Sequence, residues 1–75
     1  MTIALVNLKE GQDARIVRLD GGGEFQRKMR TIGIREGKVI KVLTRQPFGG
    51  PVVVEIDGRG TTIGRGMARR IIVEL

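Results

Sequence analysis

The sequence has 75 residues and a formal net charge of +6, from fourteen lysines and arginines against eight acidic residues. It contains neither cysteine nor histidine, which excludes Cys/His zinc sites and Ser-His-Asp or Cys-His nucleophiles. We therefore expect a protein that is not an enzyme, in a reducing compartment, the cytoplasm. The sequence shows no signal pattern and no apolar run of about 20 residues. Its length predicts one domain, residues 1–75.

The first half of the chain predicts one strand and one helix. A β-type run spans Asp13–Leu19, and the turn Gly21–Gly23 ends it. We interpret the glycines as a tight turn and not as a phosphate cradle, because no Gly-Lys-Ser/Thr follows. A helix is then predicted over Glu24–Ile32, with Gly33 suited to end it. Its core-facing residues recur at helical spacing and are Phe25, Met29 and Ile32.

The second half predicts four more strands separated by turns. The strands are expected over Lys38–Thr44, Val52–Ile56, Thr61–Arg65 and Arg70–Glu74. Gln46–Pro51 is a proline- and glycine-rich loop, and Asp57-Gly58 is typical of a type I′ hairpin turn. A short helical turn is expected at Gly66–Ala68. Five short strands, one inserted helix and a helical turn before the last strand predict a mainly β, closed or nearly closed barrel.

Several residues, taken in order, resemble the FeoA family. The helix exit matches that family's Leu-x-x-Met-Gly-hydrophobic-x-x-Gly signature at Met29, Ile32, Gly33, Ile34 and Gly37. The family's C-terminal pattern is matched by Ile63, Ala68, Ile71 and Val73. Each of these matches is a weak signal of the family by itself, but together they cover about residues 3–75 in matching order.

The resemblance implies an SH3-like barrel, a fold also found at the C-terminus of iron-dependent repressors of the diphtheria-toxin-repressor type. No helix-turn-helix precedes the predicted barrel here, so a free-standing repressor is not expected. The resemblance implies a cytosolic accessory of ferrous iron uptake that docks on the cytoplasmic region of a FeoB-type permease at the inner face of the membrane. It also implies an association with iron.

The residues themselves favour no tightly bound cofactor. Nitrogen and sulfur metal ligands are missing, and the acidic residues are scattered singly along the chain. If iron binds, we expect the site to be weak or shared between chains. The sequence leaves open whether the protein forms a homo-oligomer.

The candidate partner-binding residues are cations and one aromatic residue. The cations form two clusters, Arg27, Lys28, Arg30 and Arg35, then Arg65, Arg69 and Arg70. They fit an acidic partner or a solvated face; the alternative of a nucleic-acid-binding barrel is disfavoured, because two phenylalanines are too few for a stacking platform. Phe48, in the Pro-Phe-Gly-Gly-Pro loop, is either an exposed contact on a stiff loop or a cap on the barrel.

Overall fold

A computed structural model describes all 75 residues as one antiparallel sheet with two short α-helices. The strands are β1 Thr2–Ala4, β2 Asp13–Leu19, β3 Val39–Arg45, β4 Val52–Ile56, β5 Arg59–Ile63 and β6 Ile71–Glu74. The helices are α1 Gly23–Thr31 and α2 Arg65–Ala68, and Leu5–Asn7 forms a 3-10 turn. Neither α-helix is long and apolar enough to cross a membrane.

The mainly β fold with one inserted helix is confirmed, but the sheet has six strands where five were expected. The additional strand is β1, which pairs with β6. It is only three residues long, too short for an alternating pattern to show in the sequence. The strand predicted to reach Arg65 instead ends at Ile63, because Arg65 begins α2.

The strand order β1-β6-β2-β3-β4-β5 leaves β1 and β5 as the two edges of the sheet. The barrel is therefore nearly closed and not sealed by hydrogen bonds. Two breaks in register, between Ile16 and Arg18 and between Val42 and Thr44, are irregularities of the kind that bend strands. They allow the sheet to curl around a single core.

The core is entirely apolar. Seventeen residues are buried, and none of them is polar or charged. Alternation explains most of this set: Ile40 and Val42 on β3 and Val54 and Ile56 on β4 all face inward. Every polar and charged side chain is consequently at least partly accessible to solvent.

Helix α1 covers one side of this core less completely than the sequence predicts. Met29 is fully buried and Phe25 packs against the core while partly buried, but Ile32 is 42% exposed. The prediction of Ile32 as a core residue is wrong. The helix ends at Thr31, so the apolar face does not continue to Ile32.

Gly33 ends α1 as predicted, in a Schellman arrangement. Its φ of +89° is left-handed, its N–H donates to the Arg30 carbonyl at 3.0 Å, and the next residue, Ile34, donates to the Met29 carbonyl at 2.8 Å. This turn directs Ile34 into the core, where it is fully buried.

Replacing Gly33 with alanine tests this account of the helix end. A Cβ at Gly33 meets nothing within 4 Å, so the cost is the left-handed backbone alone, about 1–2 kcal/mol. Gly23→Ala is the matched control, because its site is equally open and φ is not left-handed; we expect it to stabilise the protein by about 0.4–1 kcal/mol. Urea unfolding measures both free energies, and equal shifts for the two variants would contradict the account.

Candidate docking surface

The structure places five of the eight predicted partner-binding residues on two separate surfaces. Phe48 and Arg65 line one depression, and Arg27, Lys28 and Arg70 line another. We call the first the Phe48 patch; it is lined by Lys9, Glu10, Arg45, Gln46, Phe48, Gly49 and Arg65. The second, the helix groove, lies between α1 and α2 and is lined by Gly22, Glu24, Phe25, Arg27, Lys28, Thr31, Met67 and Arg70.

The loop that carries Phe48 is a tight turn with two left-handed residues. Phe48 and Gly49 have φ values of +59° and +80°, and the Gly50 N–H donates to the Pro47 carbonyl at 3.4 Å. Two consecutive positive φ values closed by this bond are typical of a type I′ turn. The first of these positions normally holds asparagine, aspartate or glycine, so a phenylalanine there is strained.

The side chain of Phe48 is not buried, so burial does not offset the strain of its backbone. Its side chain is fully exposed, at 103% of the reference accessibility, so Phe48 does not cap the barrel. Of the two sequence interpretations, the exposed aromatic is the one the structure supports. A strained backbone conformation that no contact within the fold stabilises is characteristic of functional positions.

Three cations surround Phe48. Arg65 reaches the turn from α2, since a Cβ on Gly49 would lie 3.7 Å from Arg65 Cδ. Arg45 enters the patch at the end of β3, where its backbone N–H donates to Glu10 Oε2 at 2.9 Å. Arg45 and Lys9 were not among the predicted contacts: Arg45 directly precedes the loop, which is a usable signal, whereas only the fold brings Lys9 there.

The helix groove joins cations from both predicted clusters. The guanidinium carbon of Arg70 lies 5.5 Å from the centroid of the Phe25 ring, within the range of a cation–π contact. This contact holds Arg70 beside Arg27 and Lys28 of α1. The groove therefore concentrates positive charge over an apolar base formed by Phe25 and Met67.

The remaining predicted cations lie apart. Arg30 contacts Gln26 Oε1 at 3.5 Å and faces a third depression beside β5. Arg35 and Arg69 are exposed but line neither the Phe48 patch nor the helix groove.

The seven predicted cations form no ion pairs within the chain. The three ion pairs present are Met1–Glu74 through the terminal amine, Arg18–Asp20 and Lys38–Asp57. The Arg18 hydrogen bond and charge lower the pKa of Asp20, so this pair stays ionised at neutral pH. The cations of the two surfaces are thus free of ion pairs within the chain, and each surface has one carboxylate, Glu10 in the Phe48 patch and Glu24 in the helix groove.

Carboxylates do not gather anywhere in the structure. No three acidic side chains lie close enough together to hold a metal ion. The chemistry that this arrangement offers is contact with an acidic, partly apolar surface.

The chain is similar to proteins that are named for Fe(2+) transport. It is 35% identical over 66 residues to an Fe(2+) transport protein A of Methanocaldococcus jannaschii, covering 88% of this chain and 78% of that protein. It is also 35% identical over 71 residues to an Fe(2+) transport protein A/Fe(2+) transporter FeoB fusion protein of Porphyromonas gingivalis, covering 95% of this chain and 8% of the fusion.

Solved structures share the fold. A crystal structure of the iron uptake regulatory protein FeoA superposes with a TM-score of 0.92 at 30% identity, covering 99% of this chain and 97% of that one. A manganese-dependent transcriptional repressor superposes with a TM-score of 0.88 at 26% identity over 96% of this chain but 40% of the repressor. These neighbours confirm the SH3-like barrel, and all of these relatives are described as transport or regulatory proteins.

The FeoA domain family model matches residues 3–75, the same span over which the sequence resembles that family. Because this match covers nearly the whole chain, the protein belongs to the FeoA family.

Proposed function

We propose that this protein is an accessory of ferrous iron uptake that docks on the cytoplasmic region of a FeoB-type iron permease and modulates it. Its relative in Methanocaldococcus jannaschii is named as an Fe(2+) transport protein. Its relative in Porphyromonas gingivalis is fused to the transporter FeoB. Fusion of an FeoA-like chain to FeoB supports a functional contact between the two when they are separate chains.

The single observation that carries the docking proposal is the geometry of Phe48. An aromatic side chain is fully exposed on a strained turn, and a turn of this kind already has its conformation fixed before a partner arrives. A preorganised loop loses little entropy on binding. Phe48 would enter an apolar pocket of the permease while Lys9, Arg45 and Arg65 meet acidic residues at its rim.

The same proposal includes how the protein works. It acts by binding, without catalysing a reaction and without a tightly bound metal or other cofactor. The proposed localisation of the protein is the cytoplasm, where the permease would recruit it to the inner face of the membrane. The proposed secondary contacts are Arg27, Lys28 and Arg70 in the helix groove, with Arg30, Arg35 and Arg69 outside it.

Removing the Phe48 ring should separate binding from folding. We expect the wild-type protein to be retained by the immobilised cytoplasmic domain of the cognate permease at moderate salt. Phe48→Ala should weaken binding by about tenfold or more, as for a hot-spot residue. Val39→Ala is the matched control, because Val39 is exposed on β3 and lines neither surface.

The docking proposal fails if folded wild-type protein is not retained, or if Phe48→Ala binds as tightly as Val39→Ala. Labelled oligonucleotides titrated across a salt series address the nucleic-acid alternative. Binding that weakens steeply as salt rises would favour that alternative, and we expect no such binding.

Because the backbone of Phe48 is strained, we expect a substitution that weakens docking to increase the free energy of unfolding. Asparagine accepts left-handed φ values more readily than phenylalanine. Phe48→Asn should therefore increase the free energy of unfolding by about 0.5–1 kcal/mol in urea titrations while reducing retention by the permease. A loss of stability would show that Phe48 packs against the fold after all.

The absence of a tight metal site is tested by anaerobic titration with Fe²⁺, with Mn²⁺ as a paramagnetic substitute followed by NMR. We expect weak, non-saturating broadening near scattered carboxylates. A saturable site of micromolar affinity or tighter would overturn this part of the proposal.

A further inference from the structure

The free edge of β5 faces a groove that neither the Phe48 patch nor the helix groove includes. This edge groove is lined by Arg30, Thr31, Ile32, Gly33, Ile56, Asp57, Arg59, Gly60 and Thr61. It lies between the C-terminal end of α1 and the hairpin of β4 and β5. Phe48 lies in the loop at the opposite end of β4, so the two surfaces are distinct.

The register of the hairpin determines which backbone groups of β5 are free. Asp57 and Gly58 have φ values of +53° and +79°, so they form the predicted type I′ turn, which joins Ile56 to Arg59. Hydrogen-bonded and non-bonded pairs alternate from there. Gly60 and Thr62 consequently direct their N–H and C=O groups away from β4, toward the open edge.

This edge has only one of the usual protections against a further strand. Sheet edges are normally shielded by charged side chains, especially lysine, or by proline, bulges or very short length. β5 has one charged residue, Arg59, among its five residues, no proline or lysine, and an unbroken register with β4. The other edge strand, β1, is only three residues long.

Apolar side chains lie on both faces of the edge. Ile32 lines the groove on the inner face and is 42% exposed. On the outer face, Leu43 is 38% exposed, and its Cδ1 lies 3.9 Å from the position of a Cβ on Gly60. An added strand would thus contact apolar surface on each side while its backbone bonds to Gly60 and Thr62.

The charge of the edge groove indicates which kind of segment can bind there. Arg30 and Arg59 line it without an acidic partner, whereas its one carboxylate, Asp57, is paired with Lys38 at 3.0 Å. A second copy adding its own β5 would bring a second Arg59 toward these cations. We infer that β5 binds an extended acidic segment of a partner protein, which adds a seventh strand to the sheet.

This inference goes beyond the proposed function, since it assigns a contact surface, the edge groove, that is neither the Phe48 patch nor the helix groove. The probe is a blocked hexapeptide of alternating glutamate and valine, added to the ¹⁵N-labelled full chain and followed by NMR. The Gly60 and Thr62 amides should shift in a saturable manner and become protected from hydrogen exchange. The corresponding lysine–valine peptide should bind at least about tenfold more weakly, because it meets Arg30 and Arg59 with like charge.

Variants at Thr62 separate the backbone contact from folding. Thr62→Pro removes an N–H that points away from β4, a position where edge strands tolerate proline, and should weaken peptide binding by about tenfold. Thr62→Ala keeps that N–H and should bind as wild type. Arg59→Gln, which leaves the backbone intact, should also weaken binding even if Thr62→Pro does not fold.

Other results would overturn the inference. These are no change at Gly60 and Thr62 at millimolar peptide, equal binding of both peptides, or shifts in β5 that depend on protein concentration alone, which would identify a second copy as the occupant. Phe48→Ala should bind the peptide normally. Failure at the β5 edge and failure of permease docking are therefore distinguishable.

Discussion

The insertion of β6 between β1 and β2 is the pairing on which the rest of the structure depends. Ile71 and Val73 of this last strand are fully buried, and the strand bonds to β2 on one side and to β1 on the other. Nothing else in the sheet holds β1 in place. Since β6 lies more than fifty residues from both partners along the chain, these contacts are non-local and cost more loop-closure entropy than the β4–β5 hairpin. Closing the sheet around seventeen apolar residues requires this final strand.

Local chemistry explains which elements could be predicted from the sequence. Gly33 sets the end of α1, Asp57-Gly58 sets a hairpin, and alternation in β3 and β4 identifies inward residues such as Ile40 and Val54. Each of these signals lies within a few residues of its effect. The β1 strand has no such signal, because three residues become a strand only through β6. The exposure of Ile32 could likewise not be predicted from the sequence, because it depends on α1 ending one residue earlier than the apolar spacing suggests.

The candidate surface was predictable in its residues but not in its grouping. Phe48 stood out because its loop is stiff, and the cation clusters stood out because they are dense. Which cation accompanies Phe48 depends on α2 reaching the turn through Arg65 and on β3 delivering Arg45. The pairing of Arg70 with the Phe25 ring spans two predicted elements with no sequence relation. Long-range placement therefore limited the site prediction more than residue type did.

The chain makes the same tight turn twice with different residues. Comparing the two turns shows which residue choice the turn geometry explains and which it does not. At the β4–β5 hairpin the left-handed pair is Asp57-Gly58, a combination favoured by that geometry. At the β3–β4 loop the pair is Phe48-Gly49, in which the first residue opposes the geometry. Folding alone would favour an aspartate or asparagine in both places. The aromatic residue at the second turn is thus better explained by what it contacts outside the molecule than by what it contacts within it.

The small size of the domain links its surfaces. A standard interface covers about 800 Å² of each partner, which is a large share of the 4540 Å² that this protein exposes. The β4–β5 hairpin has the Phe48 loop at one end and the edge groove at the other, so a partner that contacts both would span the length of one hairpin. Both surfaces carry arginines that form no ion pair within the chain. One acidic partner can therefore engage them together, and two weak contacts on a rigid hairpin then reinforce each other through their high effective concentration.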